Sequence, residues 1–269
     1  MKIVFTADLH ADLSCGYTRG EIARLHDRIR SQGPDVLIHG RDLSGLEKDA
    51  MPATLAMLDD VRCLKLAVPG NHDLWLEDGN SLEYYMNDLP DLYTKNGWQL
   101  LDALAGPVVH DGIAFVGNMG WYNYSFMDPN LPPTAHRCYE TKDWFAVTSW
   151  NDGVYVRLGM TDAQFNGYLL KHLSRQLQAV PETVQTIIAV THHIAFDEMV
   201  VRKLSDPAWN FCNAFLGSVE LGETLLSDPR IKYHLCGHTH HRSKVQTGSL
   251  ISINVGCTYD RKRIEVINI

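Results

Sequence analysis

Residues 64–73 read LKLAVPGNHD: a five-residue run suited to a strand, then Pro69-Gly70, then Asn71, His72 and Asp73. A short apolar run bounded by turn residues is the signal of a buried strand. Directly beyond this one stands a cluster of side chains able to hold protons or metal ions. The same design recurs along the chain. It stands as FTADLH (Asp8, His10), LIHGRD (Asp42), IIAVTHH (His192, His193) and YHLCGHTHH (His238, His240, His241). In open α/β sheets the loops beyond the carboxyl ends of the strands converge on one edge, so clusters placed there can meet.

The intervening chain fits an α/β layered fold. Ile3-Val4-Phe5 forms a strand ending at Asp8. Ile22, Leu25 and Ile29 then share a helical face, stopped by Gly33-Pro34, and Val36-Leu37-Ile38 begins a second strand. Helical pattern around Leu55–Leu58 leads to the strand Leu64–Val68, and residues 80–97 read as short helices. Asp111-Gly112 between two apolar runs predicts a hairpin. Helical spacing returns at Phe165, Leu169, Leu173 and Leu177, ahead of the strand Ile187–Val190. A helix after Asn213 is expected to carry Phe215, Val219 and Leu226. Further strands are expected around 231–236, 243–247, 250–255 and 263–268, with Gly248-Ser249 as a turn. No break in composition separates a second unit, so residues 1–269 read as one domain. Residues 118–160 are irregular and aromatic-rich.

Composition narrows the function. The chain has 269 residues, 45% of them hydrophobic, enough for a sizeable core, and a net charge of -8. That charge gives no general reason to bind a polyanion, so nucleic acid is not the expected partner. MKIVFTADLH leads straight into a strand, and neither a signal peptide nor a membrane-spanning stretch is expected. The six cysteines (15, 63, 138, 212, 236, 257) include no C-x-x-C pair. They read as free thiols, and a cytoplasmic location fits them.

The clusters have their own logic. In D-x-H and H-x-H, residues i and i+2 just past a strand can turn towards one point. Mixed carboxylate and imidazole donors suit manganese, iron or zinc better than calcium or magnesium. The seven candidates Asp8, His10, Asp42, Asn71, His192, His238 and His240 exceed what one ion needs. Two ions sharing a carboxylate use them economically, and such pairs clamp phosphoryl transfer.

In order, Asp8-Leu9-His10, Arg41-Asp42, Gly70-Asn71-His72-Asp73, Thr191-His192 and Gly237-His238-Thr239-His240 resemble the calcineurin-like metallophosphoesterase superfamily over residues 1–260. The resemblance implies a four-layer αββα sandwich, two mixed sheets flanked by helices. It implies one ion held by Asp8, His10, Asp42 and His240, a second by Asp42, Asn71, His192 and His238, and Asp42 as the bridge. In that family a metal-bridging hydroxide attacks phosphorus in line. His72 then protonates or stabilises the leaving oxygen, a role suited to an imidazole beside cations.

The implied function is hydrolysis of a small phosphate ester or diester, nucleotides among the candidates. A nuclease of the same superfamily and a binding scaffold with an impaired metal site are the alternatives. Arg41 stands where related sequences, reading A-G-D or G-G-D, carry Gly. It either faces inward, gripping a phosphate or repelling the ions, or lies exposed on the loop. His193 is a candidate substrate contact or support for a ligand, and Asn71 could also touch substrate. Asp73 is expected to fix its loop, His39 to be core and Asp12 to orient His10. Within 118–160, a candidate lid, Trp121 and Tyr122 either wall the cleft or form a satellite core. Asn118, Asn123 and His136 could supply polar contacts to the ligand.

Overall fold

The computed structural model describes residues 1–11 and 16–269. Its first sheet contains β1 (Lys2–Ala7), β2 (Val36–Gly40), β3 (Leu64–Val68) and β4 (Gln99–Leu100), all parallel. The last strand, β13 (Glu265–Asn268), closes its edge antiparallel to β1. The second sheet is built from β5 (Val108–His110), β6 (Ile113–Gly117), β9 (Thr186–Val190), β10 (Ile231–Cys236), β11 (Ser243–Thr247) and β12 (Leu250–Asn254). Its order is β11-β12-β10-β9-β6-β5, with parallel pairs inside and antiparallel pairs at both edges. A small hairpin, β7 (Asp143–Trp144) with β8 (Thr148–Ser149), stands apart.

Both faces of each sheet are covered, which is why the central strands are continuously apolar. Ile3, Phe5, Ile38 and Val68 of the first sheet meet Phe115, Ile188, Val190 and Leu235 of the second in one buried layer. The alternate residues Val4, Leu37 and Ala67 pack outward on helix residues Leu25, Ile29 and Leu55. Ala114, Val116, Ile187 and Ala189 likewise pack on Leu173, Leu177, Leu221 and Leu225. The order is helix, sheet, sheet, helix, as the resemblance implies. Emptying the inner layer would be severe. Phe5→Ala removes a fully buried ring, a loss of roughly 3–5 kcal/mol.

Most expected elements are present. The hairpin turn has Asp111 at φ 46° and Gly112 at φ 78°, the left-handed pair a two-residue turn demands. The helix after Asn213 departs from its expected face. Ser218 caps Val219–Leu226 by accepting from the Leu221 amide at 3.2 Å. This cap sets a register in which Leu221 and Leu225 are buried while Val219 and Leu226 are exposed. Residues 118–160 hold only short elements, among them the helices Pro133–His136 and Asp152–Tyr155. No helix of the described residues is long and apolar enough to cross a membrane.

Candidate metal centre

Strands from both sheets end at one place. Asp8 and His10 follow β1, Asp42 follows β2 and Asn71 follows β3; His192 follows β9, and His238 and His240 follow β10. Each turn off its strand is sharp. Asp8, His10, Asp42, His238 and His240 have φ of 54°, 46°, 46°, 70° and 55°, the left-handed region that non-glycine residues avoid. That conformation folds i and i+2 back towards a common point. Neighbouring glycines allow the loops to close. A Cβ on Gly70 would overlap the Asp42 carboxylate, and one on Gly237 would lie 2.6 Å from Asp8 Oδ2.

Asp42 is central. Its Oδ2 lies 3.3 Å from His192 Nε2 and 3.9 Å from both His10 Nε2 and His72 Nε2. On one side Asp8, His10 and His240 group together, with the two Nε2 atoms of the histidines 3.1 Å apart. On the other, His192 Nε2 faces Asn71 Oδ1 at 3.2 Å and His238 Nδ1 at 3.0 Å.

The donor set fits divalent cations. His192 Nδ1 points at the Gly40 carbonyl (3.1 Å) and His238 Nε2 at the Phe215 carbonyl (3.1 Å). A carbonyl only accepts, so each of those nitrogens carries its ring proton. In the neutral rings His192 Nε2 and His238 Nδ1 are therefore bare lone pairs, facing each other beside a carboxylate oxygen and an amide oxygen. Four electron pairs converge, which a cation satisfies. Without a metal, a proton serves. Burial works against a charge on His192, but Asp42 and then Asp8 overcome it and hold the imidazole up to about 9. Asp8 is pushed up to about 7, chiefly by burial, and its Oδ2 has no hydrogen-bond partner among the described residues. Burial pushes His10 and His238 well down and His240 down to about 4, which favours their neutral rings.

His72 stands at the rim of the cluster, where with His10 and Asp42 it makes a third group able to hold an ion. Its ring stacks on Trp75 with centroids 3.6 Å apart and lines a cleft of about 320 Å3 that opens on the cluster. Asp73 fixes the loop as expected, accepting from Leu43 N at 2.9 Å and Gly70 N at 2.8 Å. His39 is buried. Asp12 lies outside the described residues.

Arg41, His193 and Asn71, the three candidate substrate contacts, are all buried. Arg41 is fully buried, its guanidinium 4.3 Å from the Tyr93 ring centre and 4.6 Å from that of Trp98, with none of its three nitrogens hydrogen-bonded. It does not lie exposed on the loop. The left-handed residue there is Asp42, so position 41 carries no demand for glycine. His193 is also fully buried, its Nδ1 3.1 Å from the Met119 carbonyl and its ring 4.3 Å from that of His238. It packs behind His238. Asn71 is buried too, and its amide nitrogen donates to Asp152 at 2.9 Å.

Trp121 and Tyr122 belong to the core. Both are fully buried, with Trp121 donating to Asp162 at 2.8 Å and Tyr122 to Asp152 at 3.0 Å. Asn118, Asn123 and His136 are held by Leu169, Glu220 and Asp128, not by the cleft. Trp150 of the same segment does line the cleft.

Asp152 is the residue sequence reasoning missed. Its buried carboxylate accepts from Asn71 Nδ2, Trp75 Nε1 (2.6 Å), Trp150 Nε1 (2.7 Å) and Tyr122 OH. One carboxylate thus orients a ligand amide, the indole under His72 and a wall of the cleft. The only local hint was the aromatic density around it.

Known proteins agree with this frame. The phosphopantetheinyl hydrolase PptH from Mycobacterium tuberculosis superposes with a TM-score of 0.75 at 17% identity, covering 96% of this chain and 90% of that one. A dimetal phosphatase from Danio rerio gives 0.56 at 13% identity, covering 96% and 87%. At such identities the likeness is one of fold. A comparison with curated proteins finds no match. The pattern of the calcineurin-like phosphoesterases matches residues 1–242, from the D-x-H turn of β1 through the H-x-H turn after β10. Most of the chain, and every strand end described above, falls within that match, and the chain belongs to the calcineurin-like phosphoesterase family.

Proposed function

We propose that this chain is a hydrolase of small phosphate esters, a phosphodiesterase or phosphatase, working with two divalent metal ions in one domain spanning residues 1–269. Manganese suits the donors best, with iron or zinc as alternates. The observation that carries this reading is the shared Asp42 Oδ2, which His10, His72 and His192 all face. Bound ions would polarise the phosphate and supply a nucleophile at neutral pH. Asp8, His10, Asp42 and His240 would hold one, and Asp42, Asn71, His192 and His238 the other. His72, at the cleft wall and stacked on Trp75, would give a proton to the leaving oxygen. The nuclease reading gains no support, since no lysine or arginine lines the cleft among the described residues. The five described cysteines are unpaired, which suits the reducing cytoplasm.

The test is hydrolysis of bis-p-nitrophenyl phosphate and p-nitrophenyl phosphate by protein stripped of metal and reloaded with manganese. Manganese-dependent turnover is expected, and the ratio of the two rates ranks diester against monoester. Silence on both, with manganese bound, would leave a scaffold. His72→Ala should lower turnover ~10²–10⁴-fold with metal content unchanged by elemental analysis. Loss of an ion in that variant would make His72 a ligand.

A further inference from the structure

The cleft has a second character besides the ligand cluster at one side. Trp150, Val201, Trp209, Leu216 and Tyr259 line it. Trp209 and Tyr259 are 39% and 47% exposed. Both indoles present hydrocarbon rather than a donor. The Trp209 N–H is spent on the Val201 carbonyl at 2.6 Å, and the Trp150 N–H on Asp152 at 2.7 Å. Among the described lining residues there is no lysine or arginine, and no carboxylate besides Asp42. The Lys203 ammonium, outside the lining, sits 3.4 Å from the Trp209 ring centre and 3.8 Å from Asp206.

Aromatic surface beside a reacting centre is stabilised when a ligand covers it, and the size lies within the ~300–1,000 Å3 of small-molecule sites. A second phosphate or a carboxylate placed there would lose water and, His241 apart, meet no cationic side chain outside the ligand cluster. Resting on the hydrolase reading above, we infer that this wall binds the alcohol portion of the substrate and selects an uncharged aromatic or apolar alcohol. Esters whose alcohol carries further phosphates, such as sugar bisphosphates, are rejected.

The experiment uses non-hydrolysable phosphonates on the manganese-loaded protein, with dissociation constants from calorimetry. Benzylphosphonate should bind about tenfold tighter than methylphosphonate, the scale of one stacked ring. A para-carboxylate on the benzyl group should cancel the gain. Trp209→Ala should bring the benzyl-to-methyl ratio towards one while methylphosphonate binding and melting temperature stay put; Tyr259→Ala should lower the ratio in part. Equal binding of the two parent phosphonates, tightest binding of the carboxylated one, or an unchanged ratio in both variants overturns the inference. Where methylphosphonate still binds and bis-p-nitrophenyl phosphate is still hydrolysed, only this inference falls. Where no phosphonate binds, the hydrolase reading falls with it.

Discussion

The two halves of the proposed centre are built differently. Around His192, His238 and Asn71 every ligand is buried and held from behind, by the carbonyls of Gly40 and Phe215 and by the Asp152 carboxylate. Around Asp8, His10 and His240 the support is looser. The His240 side chain is 21% exposed, and the rings of His10 and His240 lean on Tyr259 at 4.9 and 4.8 Å, itself half exposed. His10 Nδ1 has no hydrogen-bond partner among the described residues. Backbone carbonyls fix both tautomer and ring plane, whereas ring packing fixes only the plane. The closed half is therefore set before an ion arrives, and the open half is the one expected to exchange its ion first.

The severest test of this contrast is to remove what the halves share. Asp42→Ala should empty both and lower turnover by roughly 10³-fold, the scale of lost electrostatic stabilisation. Elemental analysis that finds one half still loaded would show the halves to be independent. A subtler change separates them. Asp152→Asn keeps the shape but turns part of a four-donor acceptor into a donor, freeing the Asn71 amide. One ion, that of the closed half, should bind ~10–100-fold more weakly, with the other step of a manganese titration unmoved. An equal shift in both steps would erase the distinction.

Protons sharpen the contrast further. In the metal-free protein His192 holds its proton up to about 9, where unfolded histidine lets go near 6.5. Asp8 holds one up to about 7 against 3.8. In both cases the folded chain keeps a proton that the unfolded chain has released, so stability falls as pH rises through each window. Loading the open half should therefore release a proton only below about 7, and loading the closed half up to about 9. Calorimetry in buffers of different ionisation enthalpy reads the count, and release that ignores pH would contradict it. The smallest effect on the centre belongs to Arg41→Gly. It should leave both manganese affinities alone yet lower stability by ~2–4 kcal/mol, as truncation of a packed buried side chain does. A shifted titration curve would mean that Arg41 reaches the ions after all.

The convergence of the donor-bearing loops was legible in the sequence because their pattern is local. A strand must end, a left-handed turn must come next, and the donor sits within two residues of it. The four-layer order was legible too, through strands apolar on both faces. What could not be read depended on residues far apart in the chain. Arg41 is buried because Tyr93 and Trp98, some fifty residues on, close around it. Aromatic density over 118–160 looks the same for a core as for a cleft wall. Burial of Trp121 and Tyr122 was decided by Asp162 and Asp152, which take their polar tips. Asp152 itself has no motif, since what marks it is four donors converging in space. The helix after Ser218 was misread because one capping hydroxyl sets its register.

Five of the proposed ligands sit in left-handed backbone, and this sets a conflict between endurance and chemistry. Each such non-glycine residue costs of order 1–3 kcal/mol, so together they rival the ~5–15 kcal/mol that separates a folded domain from its unfolded chain. Glycine would relax every one of these positions and could hold no ion at any of them. The surrounding sandwich must therefore be stable enough to carry a permanently uncomfortable edge. A chain freed from the reaction would gain robustness most readily by losing its own ligands.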